Sequence, residues 1–108
     1  MELTGSISTG FRFYDTHAHF DGAPLETAAL IERAFAAGVT RIVAVGGSAA
    51  LNAGALAAAR AYPERVRLAL GFDRDQAASA APEVYVGALR QLAAAHALAA
   101  VGETGLDF

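Results

Sequence analysis

Residues 30–48 read LIERAFAAGVTRIVAVGGS, and this stretch decides the fold. Leu30, Ile31, Ala34 and Phe35 recur at helical spacing and share one apolar face. Gly38 is placed to stop that helix, because a helix commonly ends on a left-handed residue where glycine carries no Cβ penalty. Residues 41–45 then form an apolar run that does not alternate, as expected of a strand covered on both faces. Gly46-Gly47-Ser48 turns the chain into a second helix, with Ser48 as its N-cap. Helix, buried strand and helix in so short a span indicate βαβ units and a parallel sheet.

The same alternation extends in both directions. Apolar runs at 13–15, 66–70 and 98–102 read as three more strands, and the four runs start 28, 25 and 32 residues apart. The first helix begins near Pro24, a residue suited to the first helical turn. In the second, Leu51, Ala55, Ala58 and Tyr62 share a face, and Pro63 ends the run. The third begins near Pro82 and places Tyr85, Leu89, Leu92 and His96 in one row. The expected architecture is α/β, with four parallel strands in sequential order and three helices on one side. The alanine-rich stretches 55–61 and 93–100 read as close helix packing, not as linkers.

Composition narrows the function. The chain has 108 residues, 55% of them hydrophobic and 18% charged, which is globular and carries no disorder signature. A net charge of −3 with no basic block gives no electrostatic drive toward duplex nucleic acid. No cysteine is present, so neither a disulfide nor a thiolate metal site can form. Any metal must be held by histidine and carboxylate. Residues 1–12 form a polar leader without the basic start and apolar centre of a signal peptide. No run approaches the roughly 18 apolar residues of a membrane span, and a cytoplasmic location is expected.

Three loops at strand C-termini carry the candidate chemistry, since sites in α/β sheets form at that end. Asp15-Thr16-His17-Ala18-His19 follows the first strand. On extended backbone His17 and His19 point to one side and can converge on a divalent metal, with Asp15 placed to orient an imidazole from behind. Glu103 follows the fourth strand and could add an oxygen ligand; the alternative is a solvated turn carboxylate. Asp73, Arg74 and Asp75 follow the third strand as a possible substrate loop whose two aspartates could touch substrate or metal; the alternative is a loop with a surface Asp/Arg pair. Gly46-Gly47-Ser48 could receive an anion at a helix N-terminus, but it lacks phosphate-loop spacing and reads better as a capped turn. His96 reads as a packing residue near a helix C-terminus.

Read together, these segments resemble one family. YDTHAHFD (14–21) resembles the D-T-H-x-H-x-D opening of the TatD family, AFAAGVTRIVAVG (34–46) resembles its first helix and second strand, and AAVGETGLDF (99–108) resembles its G-E-x-G-L-D-[YF] signature. The resemblance implies a (β/α)8 barrel and a metal-dependent hydrolase, several members being deoxyribonucleases. It implies that His17, His19 and Glu103 ligate divalent metal, one or two ions of Mg²⁺, Mn²⁺ or Zn²⁺ per complete site, with Glu103 shared. Asp107 joins Asp15 as a residue expected behind the ligands.

The sequence departs from the family pattern in three places. Gly71-Phe72-Asp73-Arg74-Asp75 stands where G-I-H-P-H is common, and Thr104 stands where Ile or Val is usual. The family's remaining ligands, two histidines and an aspartate on later strands, have no counterpart here. The general base is likewise expected beyond Phe108. A complete barrel takes ~250 residues. Residues 13–108 are therefore expected to be the N-terminal half of a TIM-type barrel, a partial domain inactive alone, acting on DNA or a small-molecule ester only when complete. The alternative is a non-catalytic half-barrel that self-associates through its exposed edges or binds a partner.

Overall fold

The computed structural model describes residues 10–78 and 81–105. Along the chain it places β1 (Phe13–Ala18), α1 (Pro24–Ala36), β2 (Val39–Gly47), α2 (Ala49–Ala61), β3 (Val66–Phe72), α3 (Arg74–Ala77), α4 (Pro82–Ala95) and β4 (Ala100–Thr104). All neighbouring strands pair in parallel, in the order β1-β2-β3-β4. The sheet curls into a half-barrel, the N-terminal half of a TIM barrel. Each strand is joined to the next through helix, the usual crossover between parallel neighbours. No helix among the described residues is long and apolar enough to cross a membrane.

Local chemistry explains the helix boundaries. Pro24 occupies the first turn of α1, and the Glu26 carboxylate reaches back to accept the Ala23 N–H at 3.3 Å. Gly38, at φ +103°, ends that helix in the left-handed region. The Ser48 hydroxyl accepts the Leu51 N–H at 3.2 Å and caps α2. Pro82 opens α4, as the sequence indicates.

The core lies between the helices and one face of the sheet. Ile42 and Ala44 of β2 and Val66, Leu68 and Leu70 of β3 meet Ile31 of α1, Ala55 and Ala58 of α2, and Phe20. Ile31, Leu70 and Val66 are fully buried, a contribution of ~1.5–3 kcal/mol each from removing apolar area from water. The two alanines let α2 lie close to the strands, which is what the alanine-rich run is for.

Three expectations are adjusted. A short fourth helix, α3, follows β3, because Asp73 can cap it: its Oδ1 accepts the Gln76 N–H at 3.0 Å. Leu30 is half exposed, so the apolar face of α1 rests on Ile31 with Ala34 and Phe35 packed beside it. The row Tyr85, Leu89, Leu92 and His96 is only partly buried, and α4 buries no residue fully. Most of the leader at 1–12, together with Asp107 and Phe108, lies outside the described residues.

Candidate metal centre

The ladders that hold β1 and β4 both break where the candidate ligands sit. Between β1 and β2 the register passes from Asp15↔Ile42 to Ala18↔Ala44. Thr16 and His17 thus oppose Val43 alone. Between β3 and β4 it passes from Leu70↔Val101 to Phe72↔Thr104, so Gly102 and Glu103 oppose Gly71 alone. An extra residue in one strand bends it and re-aims its side chains, the usual work of a bulge beside a functional site. His17 and Glu103, 86 positions apart, are turned toward each other by two such irregularities on the two outer strands.

The resulting cluster is tight. His17 Nε2 lies 3.0 Å from Glu103 Oε1 and 3.2 Å from His19 Nε2, and His19 Nε2 lies 3.3 Å from the same carboxylate oxygen. The two imidazoles meet edge to face, 4.8 Å between centroids and 86° between planes. The side chains of His17, His19 and Glu103 remain 53%, 38% and 38% exposed, so the group is open to solvent and to an incoming molecule. Among the described residues this is the grouping of histidine and carboxylate side chains able to hold a metal ion.

The protonation of His19 follows from its partner. Its Nδ1 lies 2.9 Å from the Val45 carbonyl, which can only accept, so Nδ1 carries the hydrogen. In the neutral ring Nε2 is then a lone pair aimed at the cluster. A backbone carbonyl behind an imidazole is the usual device for orienting a metal-binding histidine. His19 Nε2 and Glu103 Oε1 are both acceptors, and their closeness is unfavourable unless a proton or cation lies between them. Ligands ~2.0–2.2 Å from one ion, at tetrahedral or octahedral angles, stand about 2.8–3.6 Å apart. The observed separations of 3.0–3.3 Å fall inside that range, so the donor set fits a divalent metal in number, chemistry and spacing.

The other candidates are placed as follows. The Asp15 carboxylate accepts the backbone N–H of His17 at 3.0 Å. It thus steadies the strand under His17, while the ring-orienting contact comes from Val45 instead. Asp73 is 8% exposed and spends one oxygen as the α3 cap, and its N–H donates to the Gly47 carbonyl at 2.9 Å. Arg74 is exposed, with its backbone packed against Gly105 beyond β4. The start of α3 therefore lies beside the end of β4, and Arg74 is exposed there. Ser48 serves as a cap and shows no further feature of an anion site. His96 ends α4. An apolar groove of about 190 Å³ between α2 and α4 is lined by residues such as Leu56, Leu89 and Leu92, and none of the three ligand side chains faces it.

Two supporting residues escaped the sequence reading. Gly54, in the interior of α2, has no room for a Cβ because the Phe20 carbonyl lies against it. The chain just after His19 is thereby pinned to the helix. Asn52 is 7% exposed and bonds backbone groups of β2 and β3. A glycine and an asparagine inside an alanine-rich helix are both locally unfavourable, and that was the available signal.

Comparisons with known proteins bear on the whole chain. No curated protein and no solved structure matches it. A family model described as TatD related DNase matches residues 14–108, from the strand carrying His17 and His19 through the strand carrying Glu103. With nearly all of its length matched in this way, the chain belongs to the TatD related DNase family.

Proposed function

We propose that this chain supplies the first part of the active centre of a metal-dependent hydrolase that cleaves ester bonds, with the phosphodiester of DNA as the favoured substrate. The observation that carries the reading is the cluster of His17 Nε2, His19 Nε2 and Glu103 Oε1 within 3.3 Å, at the C-terminal edge of a half-barrel. The family description supports the substrate class.

His17, His19 and Glu103 would hold the metal, Mg²⁺, Mn²⁺ or Zn²⁺, one or two ions per complete centre. A bound divalent ion supplies Lewis-acid stabilisation of charge developing on a phosphoryl oxygen and activates water at neutral pH. The chain's own residues do the rest. Val45 keeps the proton of His19 on Nδ1, so that Nε2 stays a donor toward the metal. Asp15 fixes the backbone beneath His17. Glu103 balances cationic charge with one carboxylate between the two imidazoles. Arg74, exposed beside the end of β4, would meet a phosphate of the substrate, and Asp73 holds the start of α3 as its cap. Asp107 follows the Glu103 strand and is assigned a supporting role behind the ligands. The general base is assigned to none of these side chains.

A two-metal centre takes about twice as many ligands as these three. Residues 1–108 are thus expected to bind metal and not to turn over DNA. The test is calorimetry with Mn²⁺ and Zn²⁺ beside a nuclease assay on the same preparation. Saturable binding that is lost in Glu103→Gln, without hydrolysis, supports the reading. Absence of binding defeats it, and hydrolysis abolished by His17→Ala in a monodisperse monomer defeats the claim of an incomplete centre.

A second reading has its own observation. β1 and β4 are the outer strands of the described sheet, and Phe13, Tyr14 and Val101 on them are 51%, 70% and 66% exposed. Unpaired edges bearing large apolar side chains favour self-association. Sedimentation of the chain over a range of concentrations decides whether it forms a dimer.

A further inference from the structure

Asn52 is a buried polar side chain not explained by the metal cluster itself. It sits in the first turns of α2, four residues after the cap Ser48. Its Oδ1 accepts two backbone N–H groups, from Gly47 at 3.0 Å and from Gly71 at 3.1 Å. Its Nδ2 donates to the Gly71 carbonyl at 3.1 Å. These groups lie where the β2–β3 ladder breaks, between Val45↔Ala69 and Gly47↔Phe72. Gly46 there faces Leu70 and Gly71 together, and the N–H groups of Gly47 and Gly71 beside this irregularity both donate to the Asn52 side chain. Buried backbone donors need a partner, and Asn52 provides one atom for both.

The same two strand ends support the cluster. Gly71 is the lone β3 residue opposite Gly102 and Glu103. A Cβ on Gly71 would overlap the backbone of both, so the Glu103 main chain rests directly on the peptide that Asn52 holds. Gly47 lies two residues beyond Val45, whose carbonyl orients His19. A Cβ on Gly46 would collide with the Asn52 amide, which shows how closely the side chain is enclosed.

We propose that Asn52 is a positioning residue for the metal centre. Its shared acceptor ties the ends of β2 and β3 together and so sets both supports, the Val45 carbonyl behind His19 and the Gly71 backbone beneath Glu103. This rests on reading His17, His19 and Glu103 as metal ligands. A role in packing alone would be served equally by leucine, which fills a similar volume, whereas three directional bonds to two strands are not.

The test compares Asn52→Ala with Asn52→Asp, which keeps the acceptor for both N–H groups. Ile31→Val, fully buried in the same core, serves as the packing control. Two quantities are read on the 108-residue chain. One is the backbone amide NMR spectrum without metal, and the other is Mn²⁺ affinity. Asn52→Ala is expected to move the Gly47, Gly71 and Glu103 amide signals and to weaken Mn²⁺ binding about 10–100-fold, the usual cost of removing a group that orients a ligand. Asn52→Asp should recover part of both, and Ile31→Val should change neither. An unmoved Glu103 amide in Asn52→Ala overturns the proposal, as does an equal loss of affinity in Ile31→Val. If Asn52→Ala fails to fold, Asn52→Ser is read by the same criteria. If the wild-type chain binds no Mn²⁺, the metal reading falls, and the metal-free amide signals still decide whether Asn52 sets the position of Glu103.

Discussion

At the N-terminal end of β2 and β3, the Arg65 guanidinium lies 3.5 Å over the Phe35 ring and donates to the carbonyls of Thr40 and Val39 at 3.1 and 3.3 Å. Phe35 in turn meets Tyr62 edge to face at 5.6 Å. Desolvation raises the Tyr62 phenol above its ordinary pKa, helped by a hydrogen bond to Glu32 and by that carboxylate's charge. At the C-terminal end, two imidazoles and a carboxylate crowd within 3.3 Å, and both outer strands are irregular. One end satisfies backbone acceptors with a cation stacked on an aromatic ring. The other end keeps acceptors close together and open to solvent. The difference is the division of labour expected of a barrel sheet, with stability concentrated at the bottom and chemistry at the top.

The comparison is tested most strongly at the ligands. His17→Ala is expected to lower Mn²⁺ or Zn²⁺ affinity by more than about 100-fold, beyond the cost of losing a merely orienting group. Its thermal midpoint should stay within a few degrees of wild type, since the side chain is half exposed. Calorimetry and thermal unfolding of the same sample check both parts. A large fall in midpoint would show that the upper end also carries stability.

Gly54→Ala comes next. On propensity alone the substitution would favour the helix by ~1 kcal/mol. Here the added methyl meets the Phe20 carbonyl, and a net loss of about 1–3 kcal/mol is expected from overpacking. Urea unfolding measures it, and a stabilised variant would refute the close packing of the 19–21 turn on α2. Arg65→Ala should cost about 1–2 kcal/mol through the lost stacking and hydrogen bonds, with metal affinity unchanged. A change in affinity would couple the two ends. Smallest is Ser48→Ala, which removes the cap of α2 for ~1 kcal/mol in the same unfolding experiment.

Periodicity determined the strand order, the helix boundaries at Pro24, Ser48 and Pro82, and the parallel pairing, because each is set by local chemistry or by the βαβ connection. The pairing of His17 with His19 was also legible, since the two lie two residues apart at a strand end. Glu103 was legible as a candidate oxygen ligand from its place after the fourth strand, and motif resemblance joined it to the two histidines. What only the tertiary structure decided is how they meet. Two ladder irregularities, opposite Val43 and opposite Gly71, turn His17 and Glu103 inward, and register depends on strands distant in sequence. Asp73 reads as an exposed loop acid until α3 forms and uses it as a cap. Asn52 and Gly54 read as flaws in a helix until the strand ends and the Phe20 carbonyl are packed against them. Local propensity reports the cost of such residues, while the backbone groups that offset it are brought to them by the fold.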